Sequence, residues 1–258
     1  MQTDSNGIYL ITRGDDGATS RSANLAMRFA FEQGILRNVS VNATGEALQH
    51  AYEVFGRLDG LCIGLHLSLT GEWIGAPWRP VLPVDKVPSI VTKDGVLPAT
   101  TKEYWQMNPW IEELLAETKA QLDLLRATGF DVRYMDGHMG VGTLPSMKEA
   151  LPAFLRKEGL LDLTQIRYTP WPKLDGEPAE PHRRMAAHLK VIQPGTYIRV
   201  GHPCLPGQDI RPLYYDGSKP GEVARQREME MQMFTDWDVI DVCRERGVVP
   251  CRFSDLAS

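Results

Sequence analysis

A parallel α/β fold is predicted by this chain of 258 residues, and three observations carry the prediction. Short apolar runs of strand length alternate with longer segments of helical periodicity. Glycines that suit helix C-termini, Gly34, Gly129 and Gly247, close several of those segments. The rare ionisable residues Asp15, Asp16, His66, Asp136, His138 and His202 each stand at the end of an apolar run or just after it. In a parallel sheet or barrel those ends share one rim, where α/β enzymes keep their chemistry.

Residues 9–12 read as the first strand and 14–20 as a polar loop. Ser22 suits the N-cap of a helix to about Gln33, with Ala23, Met27, Ala30 and Phe31 on one face. A strand at 39–41, a helix at about 45–58 and a strand at 61–69 follow. Residues 71–108 are rich in proline and glycine and hold Trp73, Trp78 and Trp105. This is a long excursion with one short helix, of the kind that forms lids and binding loops. Ile111, Leu114, Leu115, Thr118, Leu122 and Leu125 share a face, so 110–128 is a helix. A strand at 132–135 comes next, then a helix at 145–158 that Pro152 should start late or kink. A strand at 161–166, a loop at 168–180, a strand at 197–201, helices at 221–233 and 236–246, and a strand at 248–253 complete the chain. With no linker or repeat, a single domain over 1–258 is expected.

Composition narrows the function. The net charge is −5 and 43% of residues are hydrophobic, with no basic block, so nucleic acid is not an expected partner. No run approaches the ~18 apolar residues of a membrane span, and the first residues lack a signal-type h-region; no membrane and a cytoplasmic location are expected. Cys62, Cys204, Cys243 and Cys251 have no CxxC spacing and read as buried free thiols. His50, His182 and His188 read as solvated. Dinucleotide, P-loop, nucleophile-elbow and HExxH motifs are absent.

The rim residues themselves suggest hydrolysis. Adjacent carboxylates repel, which a cation relieves. Asp16, His66 and His138 would hold one divalent ion and leave positions open for water and a substrate oxygen. Asp15 would then act as general base, Asp136 would orient a histidine, and His202 would be the acid. Trp73 and Trp78, in the excursion, are candidates for stacking on sugar rings.

At these residues the chain resembles the YdjC-like (ChbG/HpnK) carbohydrate deacetylase family. The resemblance rests on Asp15, Asp16 and Asn24 in GDDGATSRSAN, on GLHLSLT at 64–70, and on Glu117 and Gln121 four apart on a helix. It extends to Asp136-x-His138 with Pro145, His202-Pro203, and Arg227-Glu228. Gly17 and Ala18 stand where the family usually reads Phe-Gly, and Gly140 and Gly142 where it usually has further histidines. The resemblance implies a distorted, TIM-like (β/α) barrel and a divalent metal, Zn²⁺ or Mg²⁺ first, on Asp16, His66 and His138. It also implies Asp15 as base, Arg227 at the substrate, and a homodimer. The implied reaction removes an N-acetyl group from an amino sugar or chito-oligosaccharide. Another esterase or phosphoesterase on the same scaffold, and an inactive sugar-binding relative, are the alternatives.

Overall fold

Among the described residues six strands, all parallel, form one sheet: β1 (Ile8–Gly17), β2 (Asn38–Val41), β3 (Cys62–Leu67), β4 (Val132–Gly137), β5 (Gly195–Gly201) and β6 (Val248–Cys251). The structure is a computed structural model and describes Asp4 and residues 6–256. The strand order is β4-β3-β2-β1-β5, with β6 also paired to β1. β1 has room for three neighbours because it is ten residues long. β5 runs along Ile8 to Gly14; on the opposite side β6 pairs Ile8 to Ile11 and β2 takes over from Arg13. Asn38 joins the two: its Nδ2 donates to the Cys251 and Thr12 carbonyls, and its Oδ1 accepts from the Phe253 amide.

The sheet curls into a half-barrel rather than a closed TIM-like barrel. β4 and β5 are its two free edges. The strand expected at 161–166 would have narrowed the gap, but only Leu161 bridges to Tyr134. Asp162 explains the failure: its carboxylate accepts from the Thr164 amide and folds the chain into a 3-10 turn at Leu163–Gln165, a local bond that competes with a ladder. Inside the curl Tyr9, Ile11, Cys62, Tyr134, Cys251 and Phe253 form a small apolar cluster. The outer face carries the main core and the helices. Residues of inward parity turn polar toward the strand ends, where Arg13 and Asp15 follow Tyr9 and Ile11, and His66 follows Cys62.

The helices are α1 (Arg21–Glu32), α2 (Leu48–Phe55), α3 (Thr101–Gln106), α4 (Ile111–Thr128), α5 (Pro145–Glu158), α6 (Pro181–Val191), α7 (Glu222–Thr235), α8 (Trp237–Glu245) and α9 (Phe253–Leu256). Ser20, not Ser22, caps α1; Ser22 instead donates to Asp209. Pro152 neither delays nor ends α5, which runs from Pro145 through it. Residues 181–191, unassigned from the sequence, form α6, which buries Met185, Ala186 and Leu189. His188 on α6 is buried too, against the ring of Trp171 and 3.1 Å from Glu177, so it is not solvated. His50 and His182 are half-buried. None of the helices among the described residues is long and apolar enough to cross a membrane.

The excursion is tied down by a polar stripe on α4. Glu113 accepts from Ser89, Glu117 accepts from the Val81 and Leu82 amides, and Gln121 bonds Ser68. These residues lie four apart, so one helical face reaches across the loop. Burial raises the pKa of Glu117, although the Leu82 and Val81 amides and Gln121 oppose the shift. Glu117→Ala is expected to cost about 2 kcal/mol by urea denaturation, because it strands two backbone donors in a partly buried site.

Candidate metal centre

Two adjacent aspartates reach one rim because the β1 backbone is irregular there. Asp15 has the inward parity of Tyr9 and Ile11. Asp16 adopts φ +63°, a left-handed conformation that costs a non-glycine residue energy. The β1–β2 register shifts between Gly14 and Gly17, so the second carboxylate need not turn outward. The Asp16 side chain is buried. Its Oδ1 lies 3.3 Å from His138 Nδ1 and 3.5 Å from His66 Nε2, and those two nitrogens are 3.2 Å apart. Its Oδ2 accepts from the Arg227 guanidinium.

A carboxylate aims each imidazole from behind. His66 Nδ1 lies 2.6 Å from Asp136 Oδ1, and His138 Nε2 lies 2.8 Å from Glu72 Oε2. Such backing fixes ring orientation and raises ligand basicity. Asp136 is itself held at Oδ2 by Ser40 at 2.6 Å and Arg13 at 2.8 Å. Ser40 also meets the Tyr134 hydroxyl. Gly64 makes that contact possible, because a Cβ there would lie 2.3 Å from the Tyr134 ring. The glycine of GLHLSLT thus leaves room for a ring that helps place Asp136.

Charge is balanced inside the site. Burial pushes the Asp16 pKa up, but the Arg227 charge and the His138 hydrogen bond outweigh it and hold the carboxyl well below its usual range. Burial also opposes a charged His138, yet Asp16 and Glu72 push its pKa up to about 10. His202 Nδ1 and its own amide both bond Glu230 Oε2, at 2.8 and 2.7 Å. That hydrogen bond, with the Asp16 charge, overcomes burial and raises the His202 pKa.

A divalent cation fits the Asp16, His66 and His138 atoms: they are buried, mutually close and of the oxygen and nitrogen type that Zn²⁺, Mn²⁺, Fe²⁺ or Co²⁺ prefers. A second group, Asp15, His66 and Asp136, is also close enough. There Arg13 already supplies the cation, forking onto Asp15 at 2.6 and 2.7 Å while reaching Asp136.

A cavity of about 260 Å³ opens onto Asp15, Asp16, His66, His138, His202 and Trp73. The expected rim residues therefore meet in one place, with Asp136 behind His66. Arg227 lines the cavity but is spent on Asp16. The tryptophans depart from the stacking expectation. Trp78 is buried with its ring 5.1 Å from that of His138, and it does not line the cavity. Trp73 lines it, yet the Arg227 guanidinium sits 5.0 Å from its ring, and its buried Nε1 has no hydrogen-bond partner. The exposed aromatic on the cavity is Tyr215.

Sequence reasoning missed Arg13, Asn42, Glu72 and Glu230. Three of them left a trace. Arg13 shares the parity of Asp15, and Glu230 lies three residues after Arg227 on one helix face. Asn38, Ser40 and Asn42 alternate in NVSVN, and Asn42 donates to Asp16 at 3.3 Å. Glu72 sits in the excursion, where no periodicity marks it.

The fold and site define a class: a parallel α/β half-barrel whose rim carries a buried Asp-His-His group able to hold a metal ion. The chain belongs to the YdjC-like protein family, whose pattern matches residues 9–245. It is 26% identical over 156 residues to a chitooligosaccharide deacetylase of Salmonella typhimurium, and equally to that of Salmonella newport. Each match covers 58% of this chain and 57% of the relative. Among solved structures, a candidate cellobiose-phosphate cleavage protein of Enterococcus faecalis V583 superposes with a TM-score of 0.77 at 19% identity. That superposition spans 98% of this chain and all of the other, which shows a shared fold.

Proposed function

We propose that this protein is a metal-dependent carbohydrate deacetylase that removes an N-acetyl group from an amino sugar or chito-oligosaccharide. The observation that carries the reading is the convergence of Asp16, His66 and His138 donor atoms beside Asp15 and His202 in one cavity. The names of the relatives support the substrate class. A divalent ion held by those three residues would supply Lewis acidity toward the amide carbonyl and make a water more acidic. Asp15, with each oxygen taking one Arg13 hydrogen bond, keeps lone pairs free to accept the proton of the attacking water. As the C–N bond breaks, His202 donates a proton to the departing amine, and acetate is the second product. Tyr215, exposed on the cavity, is placed to meet a sugar ring. A homodimer and a cytoplasmic setting remain part of the same proposal.

A phosphoester substrate is less well served. Arg227 is paired with Asp16, and Arg13 with Asp15 and Asp136, so neither arginine is free for a phosphate.

Acetate release from N-acetylglucosamine oligomers, with divalent metal supplied, tests the reading. No acetate alongside turnover of an aryl ester would replace it with the esterase alternative. The pH profile tests the acid. His202 must carry its proton, so turnover is expected to persist to above its ordinary pKa and to fall as pH rises through the raised value. Glu230→Gln removes the charge that supports the imidazolium, so the alkaline fall should shift to lower pH. A uniform loss of kcat with no shift in the profile would leave Glu230 a merely structural partner.

A further inference from the structure

A second cavity, of about 320 Å³, lies against the candidate metal centre on the β4 side. Its walls are mostly apolar: Leu67 and Met135 from the strands, Leu151, Pro152 and Leu155 from α5, and Leu163 from the 3-10 turn. The volume falls within the range of small-ligand sites. Two features join it to the chemistry. Gly137 lines both cavities. Asp136, which orients His66, also forms part of its wall.

Gly142 keeps the second cavity open. A Cβ there would meet Leu151 Cδ1 at 3.5 Å, an ordinary contact, and nothing else within 4 Å. Since Leu151 is itself a wall of the cavity, a longer side chain at 142 would project into the space. The backbone of Gly142 is not left-handed, so a side chain is sterically permitted.

Building on the deacetylase reading, we propose that this cavity is a subsite for a compact apolar group carried by the substrate, and that Gly142 is its specificity-determining residue. The group can enter from two sources, as an N-acyl chain longer than acetyl or as an alkyl or aryl aglycone. Apolar walls on four elements suit either, and of the polar residues in the lining Asp136 is already bonded to His66, Ser40 and Arg13, and Asp162 to Thr164.

The experiment titrates wild type, Gly142→Leu and Leu151→Gln, each as the metal-loaded protein, with two ligand series. One series is N-acetyl, N-butyryl and N-hexanoyl glucosamine; the other is methyl, butyl and hexyl β-glycosides of N-acetylglucosamine. Binding is read by calorimetry, and turnover beside it. Wild type is expected to bind one series about three- to fourfold tighter per added methylene. The series that gains identifies the source. Gly142→Leu should abolish the gain while leaving the shortest ligand within about twofold, and Leu151→Gln should weaken it. A flat response in both series, or a gain that survives Gly142→Leu in a protein of native Tm, overturns the subsite. Because binding is measured directly, chain-length-dependent affinity without carboxylate release from any of the ligands would sustain the subsite while sinking the deacetylase reading.

Discussion

His66→Ala and His138→Ala are expected to bind no stoichiometric divalent metal and to lose at least about 1000-fold in kcat/KM, the loss of several kcal/mol of electrostatic stabilisation. Each substitution removes one of three donor atoms that lie 3.2–3.5 Å apart. It also leaves a carboxylate behind the ring without its partner, Asp136 in one case and Glu72 in the other. Metal content by elemental analysis, read beside circular dichroism, separates loss of the site from loss of the fold. Asp136→Asn makes the graded control: the ring keeps a hydrogen-bond partner but loses the charge, and metal affinity should fall roughly 10- to 100-fold rather than vanish. Full metal occupancy in both alanine variants would remove this site from the mechanism.

The second large effect is expected at Asp15. Asp15→Asn should keep its metal and its fold while kcat drops by about 10²- to 10⁴-fold, the range a positioned general base contributes. Asn is isosteric, so the Arg13 contact can persist at the remaining carbonyl oxygen, but the amide nitrogen cannot take a proton from water. The loss should fall on kcat, with KM for the sugar nearly unchanged. Unchanged turnover would transfer the base role elsewhere. Arg13 makes this test sharper, since its fork holds Asp15 and Asp136 together. Asp15→Asn gives up one arm of that fork but leaves the Arg13–Asp136 pair, and with it the orientation of His66, in place.

The alternation of short apolar runs with helical periods was sufficient to predict parallel α/β architecture. The positions of Asp15, Asp16, His66, Asp136, His138 and His202 at strand ends were sufficient to predict that they share one rim. Both follow from local rules, since strand parity and the common direction of parallel strands fix which residues share a rim. Three other features could be decided only by the tertiary structure. The barrel stays half-open because Asp162 bonds its own turn instead of letting 161–166 lie extended, a competition that hydrophobic patterning does not register. Asp16 faces the metal site because of a left-handed residue and a register shift in β1, where a regular strand would have separated the two aspartates. Glu72, Glu230 and Arg13 enter the site because an excursion, a helix and a strand fold onto one another. Whether a charged residue is solvated or aims a ligand depends on what lies opposite it, and that is set by long-range packing.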